Sequence, residues 1–142
     1  KTTEDEPKRL DGINVLMAED NELNAEIAEF FLKDSGAEVT CVSNGKEAVE
    51  AFERSAPGEF DIILLDMMMP IMNGTNAAEV IRKLERPDAE TIPIFAMTAN
   101  LFENDIEECK KAGMDEHIAK PLNAAKLTET IFKYVHKKRG AK

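Results

Sequence analysis

The sequence predicts one α/β domain in which a parallel β-sheet is covered by helices on both faces. Five short apolar segments alternate with segments whose apolar residues recur at helical spacing, and the joints between them are short. Continuous apolar runs are typical of strands buried on both faces, and strict alternation of strand and helix favours a parallel sheet. A chain of 142 residues is long enough for one such domain with a full core.

The predicted strands differ in how apolar they are, and this indicates their places in the sheet. The second and the fifth are the least apolar, which favours positions at the edges. The five predicted strands are Ile13–Ala18, Glu38–Val42, Phe60–Leu65, Ile92–Met97 and Glu116–Ala119.

The predicted helices follow the strands and are amphipathic. Asn44, with Glu47 three residues later, is typical of a capping box at the start of the second helix. Gly36 and Gly113 stand where glycine commonly ends a helix. The apolar sides of the five helices are Leu23, Ile27, Phe30 and Phe31; Ala48, Val49 and Phe52; Ala77, Ala78, Ile81 and Leu84; Ile106, Cys109 and Ala112; and Leu127, Ile131, Tyr134 and Val135.

The composition limits the classes of partner and compartment. The formal net charge of −10 argues against binding nucleic acid or an anionic membrane through this domain. No apolar run is long enough to span a bilayer, and no signal-peptide pattern is visible at the N-terminus.

Cys41 and Cys109 fit neither a disulfide framework nor a metal motif. Both are expected to be buried thiols, and a reducing, cytoplasmic setting fits best.

The chain divides into three predicted segments. Residues 1–12 are polar, contain a proline and show no periodicity, so they are expected to form a linker or an artificial chain end. Residues 13–136 are expected to form the folded domain. Residues 137–142 are expected to form a basic tail.

Polar residues follow the apolar runs, at the strand ends where parallel α/β sheets bind ligands. Glu19 and Asp20 follow the first run, and Asp66 follows the third. Thr98 follows the fourth and Lys120 the fifth. If the second strand is at an edge, these four ends are neighbours, so three carboxylates, a hydroxyl and an ammonium are expected to meet there.

Crowded carboxylates of this kind predict a magnesium site. At about 4 Å and an effective dielectric near 20, each close pair of carboxylates costs on the order of 4 kcal/mol. A hard divalent cation removes this cost, and Mg²⁺ prefers oxygen ligands. Asp20 and Asp66 are the predicted direct ligands, and Glu19 is long enough to hold a metal-bound water. A backbone carbonyl just after Asp66 is a further predicted ligand.

Asp66 is the predicted nucleophile of the site. An aspartate carboxylate can accept a phosphoryl group as an acyl phosphate. The negative charge on the phosphoryl oxygens then needs cations and donors, which Mg²⁺, Lys120 and the Thr98 hydroxyl would supply.

Each of these residues also has an ordinary structural interpretation. Asp20 could cap the first helix, and Asp66 could be a turn residue before Pro70. The Thr98 hydroxyl could bond to the backbone, and Lys120 could be solvated. Taken singly, most of these residues favour the ordinary interpretation, and their joint occurrence at four strand ends favours the site.

Four sequence motifs together carry a family resemblance. They are VLMAEDN with the acidic pair, ILLDMMMPIMNG around Asp66, MTA at Thr98 and AKPL at Lys120. From about Ile13 to Val135 the chain resembles the receiver domain of two-component response regulators. The resemblance implies a flavodoxin-like (βα)5 fold, a three-layer sandwich with strand order 2-1-3-4-5. EDNELN, NGKEA and MTAN look most like receivers attached to hybrid sensor histidine kinases.

The resemblance implies a partner and a role for each site residue. Asp66 would accept a phosphoryl group from a phosphohistidine of a histidine kinase or a histidine phosphotransfer domain, and kinase domains could lie in the same chain. Lys120 would contact the phosphate, and the Lys120–Pro121 peptide is expected to be cis. The implied Mg²⁺ ligands are Glu19, Asp20, Asp66 and the Met68 carbonyl.

The resemblance also implies a switch and a compartment. Thr98 would swing toward the phosphate and His117 would rotate inward, changing the surface of the fourth helix, fifth strand and fifth helix. The domain would catalyse its own phosphorylation and dephosphorylation without being a stand-alone enzyme. It would be cytoplasmic, or would lie at the cytoplasmic end of a membrane-bound hybrid kinase.

Two other functional classes fit the sequence less well. An aspartate-based phosphatase needs a second aspartate two residues after the nucleophile, where Met68 stands. A nucleotide- or flavin-binding module needs a glycine-rich phosphate loop, and neither G-x-G-x-x-G nor G-x-x-x-x-G-K-[ST] occurs.

In the resembled family, the positions of Met68 and Asn100 influence hydrolysis of the acyl phosphate. The apolar Met68 predicts a long-lived acyl phosphate.

Overall fold

Strands and helices alternate along the part of the chain that the structure describes. The structure, a computed structural model, describes the backbone of residues 9–99 and 103–140 and the side chains of residues 9–99 and 106–135. The elements are β1 (Asn14–Ala18), α1 (Glu22–Asp34), β2 (Glu38–Val42), α2 (Gly45–Arg54), β3 (Ile62–Asp66), α3 (Gly74–Arg82), β4 (Ile94–Thr98), α4 (Glu103–Lys111), β5 (Glu116–Ala119) and α5 (Ala124–Gly140).

The strands form one parallel sheet in the order β2-β1-β3-β4-β5, as predicted. Ala18 of β1 lies opposite Leu65 of β3. Asp66, the next residue of β3, lies opposite Met97 of β4, and Thr98 lies opposite Ala119 of β5. This register places the polar residues that end these strands at one edge of the sheet.

Two strands begin and end later than the apolar runs predicted. β3 starts at Ile62 and includes Asp66, and β4 starts at Ile94 and includes Thr98. Proline has no N–H to donate to a ladder, so the backbone at Pro93 takes part only through its carbonyl, which accepts from Ile63. Asp66 and Thr98 are the last residues of their strands, where the register sets each of them opposite a residue of the neighbouring strand.

Apolar side chains pack against both faces of the sheet. One face is covered by α1 and α5, and the other by α2, α3 and α4. Leu10, which falls in the predicted linker, is also buried on the α1–α5 face, and its N–H donates to the Ser35 carbonyl at 2.7 Å. The helices among the described residues are each too short or too polar to cross a bilayer.

The side of α1 that faces the core differs from the one predicted. Leu23, Ile27 and Phe30 are 64%, 39% and 66% exposed. The helix instead packs on the sheet through its buried residues Ala25, Ala28 and Leu32. Two small side chains allow close approach of the helix to the sheet, whereas helical spacing alone cannot tell which of two apolar stripes is buried.

The two cysteines lie in different environments. Cys109 is buried on α4, as expected, and its Sγ lies 3.4 Å from the Sδ of Met67. Cys41 is exposed, and the prediction that it is buried is wrong. It lies on β2, an edge strand that is less completely covered than β3 and β4.

Candidate functional site

Three carboxylates meet at the carboxyl ends of β1 and β3. Oxygen atoms of Glu19, Asp20 and Asp66 all lie within 4.8 Å of one another. Glu19 and Asp66 are buried, whereas Asp20 is exposed. The chain leaving β1 is held at Glu19, whose N–H donates to the Val42 carbonyl at 3.0 Å. We refer to the three residues as the acidic cluster.

Lys120 completes the arrangement from the end of β5. Its Nζ lies 2.9 Å from Glu19 Oε1 and 3.1 Å from Asp66 Oδ2. The side chain is 18% exposed, so the solvated interpretation of this lysine is wrong. The Lys120 N–H donates to the Thr98 carbonyl at 2.8 Å, and the peptide bond to Pro121 is cis, as expected.

The first helix is capped by Asn21, and Asp20 is not the cap. The Asn21 side chain accepts from the Asn24 N–H at 2.9 Å, and its own N–H donates to Glu19 Oε2 at 3.1 Å. Asp20 thus belongs to the acidic cluster. Asparagine is a strong N-cap residue directly before Glu22, so the signal for Asn21 was present in the sequence.

The negative charge of the acidic cluster exceeds the single positive charge of Lys120. Burial raises the pKa of Asp66, and the neighbouring Glu19 raises it further, while Lys120 lowers it by less. Burial lowers the pKa of Lys120, but its bonds to Glu19 and Asp66 outweigh burial and raise this pKa overall. Both directions follow from two buried carboxylates that share one ammonium.

Asp66→Asn is expected to stabilise the metal-free protein by about 1 kcal/mol, or about 3 °C in Tm. Because the folded-state pKa of Asp66 is raised, its ionised form lowers stability above that pKa. The advantage of the asparagine variant should therefore shrink as the pH falls through the carboxyl range. Thermal unfolding in EDTA at several pH values measures it, and equal Tm values at neutral pH would contradict it.

Thr98 and Met68 lie at the same edge of the sheet. Thr98, 9% exposed, ends β4 one residue beyond the partner of Asp66. Asp66 Oδ1 accepts from the Met68 N–H at 3.3 Å, so Asp66 also makes the local turn contact considered for it. The Met68 side chain is 80% exposed. Asn100 lies outside the described residues.

His117 lies on β5, opposite Ala96 of β4, and is half-buried. It faces an open cleft of about 400 Å³ between β5 and α5. The cleft is also lined by Pro121, Lys126 and Thr130. The structure thus brings the acidic cluster and Lys120 into contact, whereas His117 lines a cleft to which neither contributes a side chain.

Comparison with known proteins identifies the family. Residues 15–132 match the model of the response regulator receiver domain. The chain belongs to this family. Its receiver fold is shared with the receiver domain of the sensor histidine kinase PA1611 from Pseudomonas aeruginosa, which has a magnesium ion coordinated in its active-site cleft. That match has a TM-score of 0.80 and 35% identity, and it covers 88% of this chain and 98% of the other.

Other receivers in the comparison belong to relays and to hybrid kinases. The receiver of Saccharomyces cerevisiae Ssk1, solved with the histidine phosphotransfer protein Ypd1, matches at a TM-score of 0.77 and 26% identity. This match covers 93% of this receiver domain and 92% of the other chain. The hybrid signal transduction histidine kinase L of Dictyostelium discoideum is 37% identical over 92% of this chain. The receiver domain spans only 8% of the length of that kinase.

Proposed function

We propose that this receiver domain accepts a phosphoryl group on Asp66 from a protein phosphohistidine, in a Mg²⁺-dependent reaction. The observation that carries the proposal is the buried Asp66 carboxylate, which faces both the Lys120 ammonium and two further carboxylates. A structural ion pair needs no additional acids. A site that receives a phosphoryl group and a divalent cation needs both features.

The donor set of the acidic cluster fits magnesium. Its side-chain donors are carboxylate oxygens, the ligand type that this cation prefers, and their charge exceeds that of Lys120. When bound, Mg²⁺ would neutralise charge on the cluster and on the phosphoryl oxygens. The residues that would hold it are Glu19, Asp20, Asp66 and the backbone carbonyl of Met68.

The reaction moves one phosphoryl group between two side chains. A carboxylate oxygen of Asp66 attacks phosphorus, the P–N bond of the phosphohistidine breaks, and its electron pair returns to the imidazole nitrogen. Lys120, which pairs with Asp66 at 3.1 Å beforehand, would bind a phosphoryl oxygen afterwards. The Thr98 hydroxyl would donate to another oxygen from the neighbouring strand end.

The surface around the site favours a protein as phosphodonor. Exposed apolar side chains flank the acidic cluster on α1 and on the segment after β3. They are Leu23, Ile27, Phe30, Met68 and Ile71. A cavity of about 180 Å³ opens beside Lys120, between α1 and Leu122. Apolar surface rimming a charged site marks a protein contact, so we assign the donor to a histidine kinase or a histidine phosphotransfer domain.

The proposal extends to the response and to the setting of the domain. Phosphorylation would draw Thr98 toward Asp66 and His117 inward, which would alter the surface of α4, β5 and α5. The cytoplasm, where kinases supply the phosphohistidine, is the proposed compartment, with the kinase in the same chain or on a separate one. The domain would catalyse its own phosphorylation and dephosphorylation.

Acetyl phosphate tests the central claim without a partner protein. In Mg²⁺, the wild-type domain should gain the mass of one phosphoryl group, and hydroxylamine should remove it because an acyl phosphate is an activated carboxyl. EDTA should prevent the gain. Asp66→Asn, which keeps the shape of the side chain, should gain nothing. Labelling that survives in this variant would place the acceptor elsewhere and end the proposal.

Met68→Asn is expected to shorten the lifetime of the acyl phosphate severalfold. The Met68 side chain is exposed beside Asp66 and offers no hydrogen bond to orient an attacking water, whereas an amide would. The decay of phosphorylated protein after removal of acetyl phosphate measures the lifetime. Met68→Leu, which stays apolar, is the control. A lifetime that is unchanged or longer in the asparagine variant would count against the interpretation.

A further inference from the structure

Two helices hold the segment that follows the phosphoacceptor. We call residues 67–73 the phosphoacceptor loop. The first residue of α3, Gly74, donates its N–H to the Met67 carbonyl at 3.2 Å, at the start of the loop. The first residue of α2, Gly45, donates its N–H to the Met72 carbonyl at 3.0 Å, near the end of the loop. The first N–H groups of a helix have no partner within it, so both are available for these bonds.

Both contacts require glycine because the backbones approach too closely for a side chain. A Cβ atom on Gly74 would lie 2.5 Å from the Asp66 carbonyl oxygen. A Cβ atom on Gly45 would overlap the Met72 carbonyl oxygen and crowd the Cβ of Ala77. The loop therefore lies directly against the starts of two helices, each of which has its own asparagine cap.

The loop held in this way contains a strained residue. Ile71 has a φ of 69°, and the Met72 N–H donates to the Pro70 carbonyl at 2.7 Å, which defines a γ-turn centred on Ile71. A positive φ is unfavourable for a β-branched residue. The Ile71 side chain is 78% exposed, so its own packing does little to offset the strain. The turn must be maintained by the bonds at the two ends of the loop.

We propose that Gly45 is a positioning residue for phosphorylation, because α2 holds the phosphoacceptor loop in the strained turn that sets the Met68 backbone beside Asp66. The inference rests on the proposed function. An effect of Gly45 on phosphorylation follows because the loop carries the Met68 carbonyl, which is proposed as a metal ligand. The Met68 N–H also donates to Asp66 Oδ1, so a shift of the loop would reach the carboxylate directly. Gly45 itself is not among the residues proposed to hold the phosphate or the cation.

Gly45→Ala tests the inference through the metal before any phosphate is added. The new Cβ should displace the Met72 carbonyl, raise the Mg²⁺ dissociation constant about tenfold and shift the Met68 amide resonance. Adding Ile71→Gly should restore part of the affinity, because glycine adopts the turn without strain once the bond from α2 is weakened. Lys46→Ala, at the exposed next position of α2, should behave as wild type.

Three results would overturn the inference. They are wild-type Mg²⁺ affinity in a folded Gly45→Ala domain, no recovery in the double variant, and fast exchange of the Gly45 amide proton in the wild-type domain. The exchange measurement decides the matter if Gly45→Ala does not fold. If acetyl phosphate fails to label Asp66 while the Mg²⁺ affinities and the amide exchange behave as expected, the proposed function fails and the role of Gly45 in holding the loop stands, since neither measurement depends on phosphorylation.

Discussion

Replacing Lys120 by methionine is expected to slow phosphorylation of Asp66 roughly 10²- to 10³-fold and to destabilise the metal-free domain by about 3 kcal/mol. The stability loss arises because Glu19 and Asp66 would remain buried without the ammonium that bridges them at 2.9 Å and 3.1 Å. The rate loss arises because the phosphoryl oxygens would lose a cation. Chemical denaturation in EDTA and initial rates with acetyl phosphate measure the two effects.

Mg²⁺ should restore more stability to Lys120→Met than it adds to the wild type. The cation would take over the neutralisation that Lys120 provides, and a ligand that binds only the folded state stabilises it in proportion to its affinity. The matched control is Lys126→Met, which replaces an exposed lysine of α5. It should change neither the metal-free stability nor the rate of phosphorylation. A metal-free stability equal to that of the wild type would show that the ion pairs contribute little.

Asp20→Asn is expected to raise the Mg²⁺ dissociation constant at least about tenfold while leaving the metal-free stability within about 0.5 kcal/mol. Asp20 is the exposed member of the acidic cluster, and Asn21 performs the capping of α1, so the fold does not depend on the Asp20 charge. Isothermal titration gives the affinity, and acetyl phosphate labelling at low Mg²⁺ should slow correspondingly.

The matched control for this variant is Asp34→Asn, at the other end of α1. It removes the same charge from an exposed position far along the helix, and its Mg²⁺ affinity should equal that of the wild type. If both variants weaken Mg²⁺ binding equally, the effect comes from net charge. Asp20 would then not be a ligand.

The sheet and its polar edge could be predicted because they depend on signals that are local in the sequence. Uninterrupted apolar runs mark buried strands, and the parallel arrangement then forces their carboxyl ends together. Glu19, Asp66 and Lys120 were found in this way without any contact being known. The family motifs supplied the strand order, which the apolar pattern alone leaves partly open.

Other features depend on three-dimensional packing and were missed or misjudged. Leu23, Ile27 and Phe30 have the spacing of a core stripe, yet α1 is buried through its alanines, because distance from the sheet decides which stripe is covered. Gly45 gives no sign in the sequence that it touches Met72, because the contact joins segments 27 residues apart. Cys41 shows that an edge strand need not bury its thiol.

The acidic cluster holds more negative charge than Lys120 can neutralise, and this has a consequence for how long the protein survives in a cell. A receiver starved of divalent ions would open more often, and proteases cleave the opened state in proportion to its population. Magnesium limitation would then lower the abundance of the domain as well as its capacity to be phosphorylated.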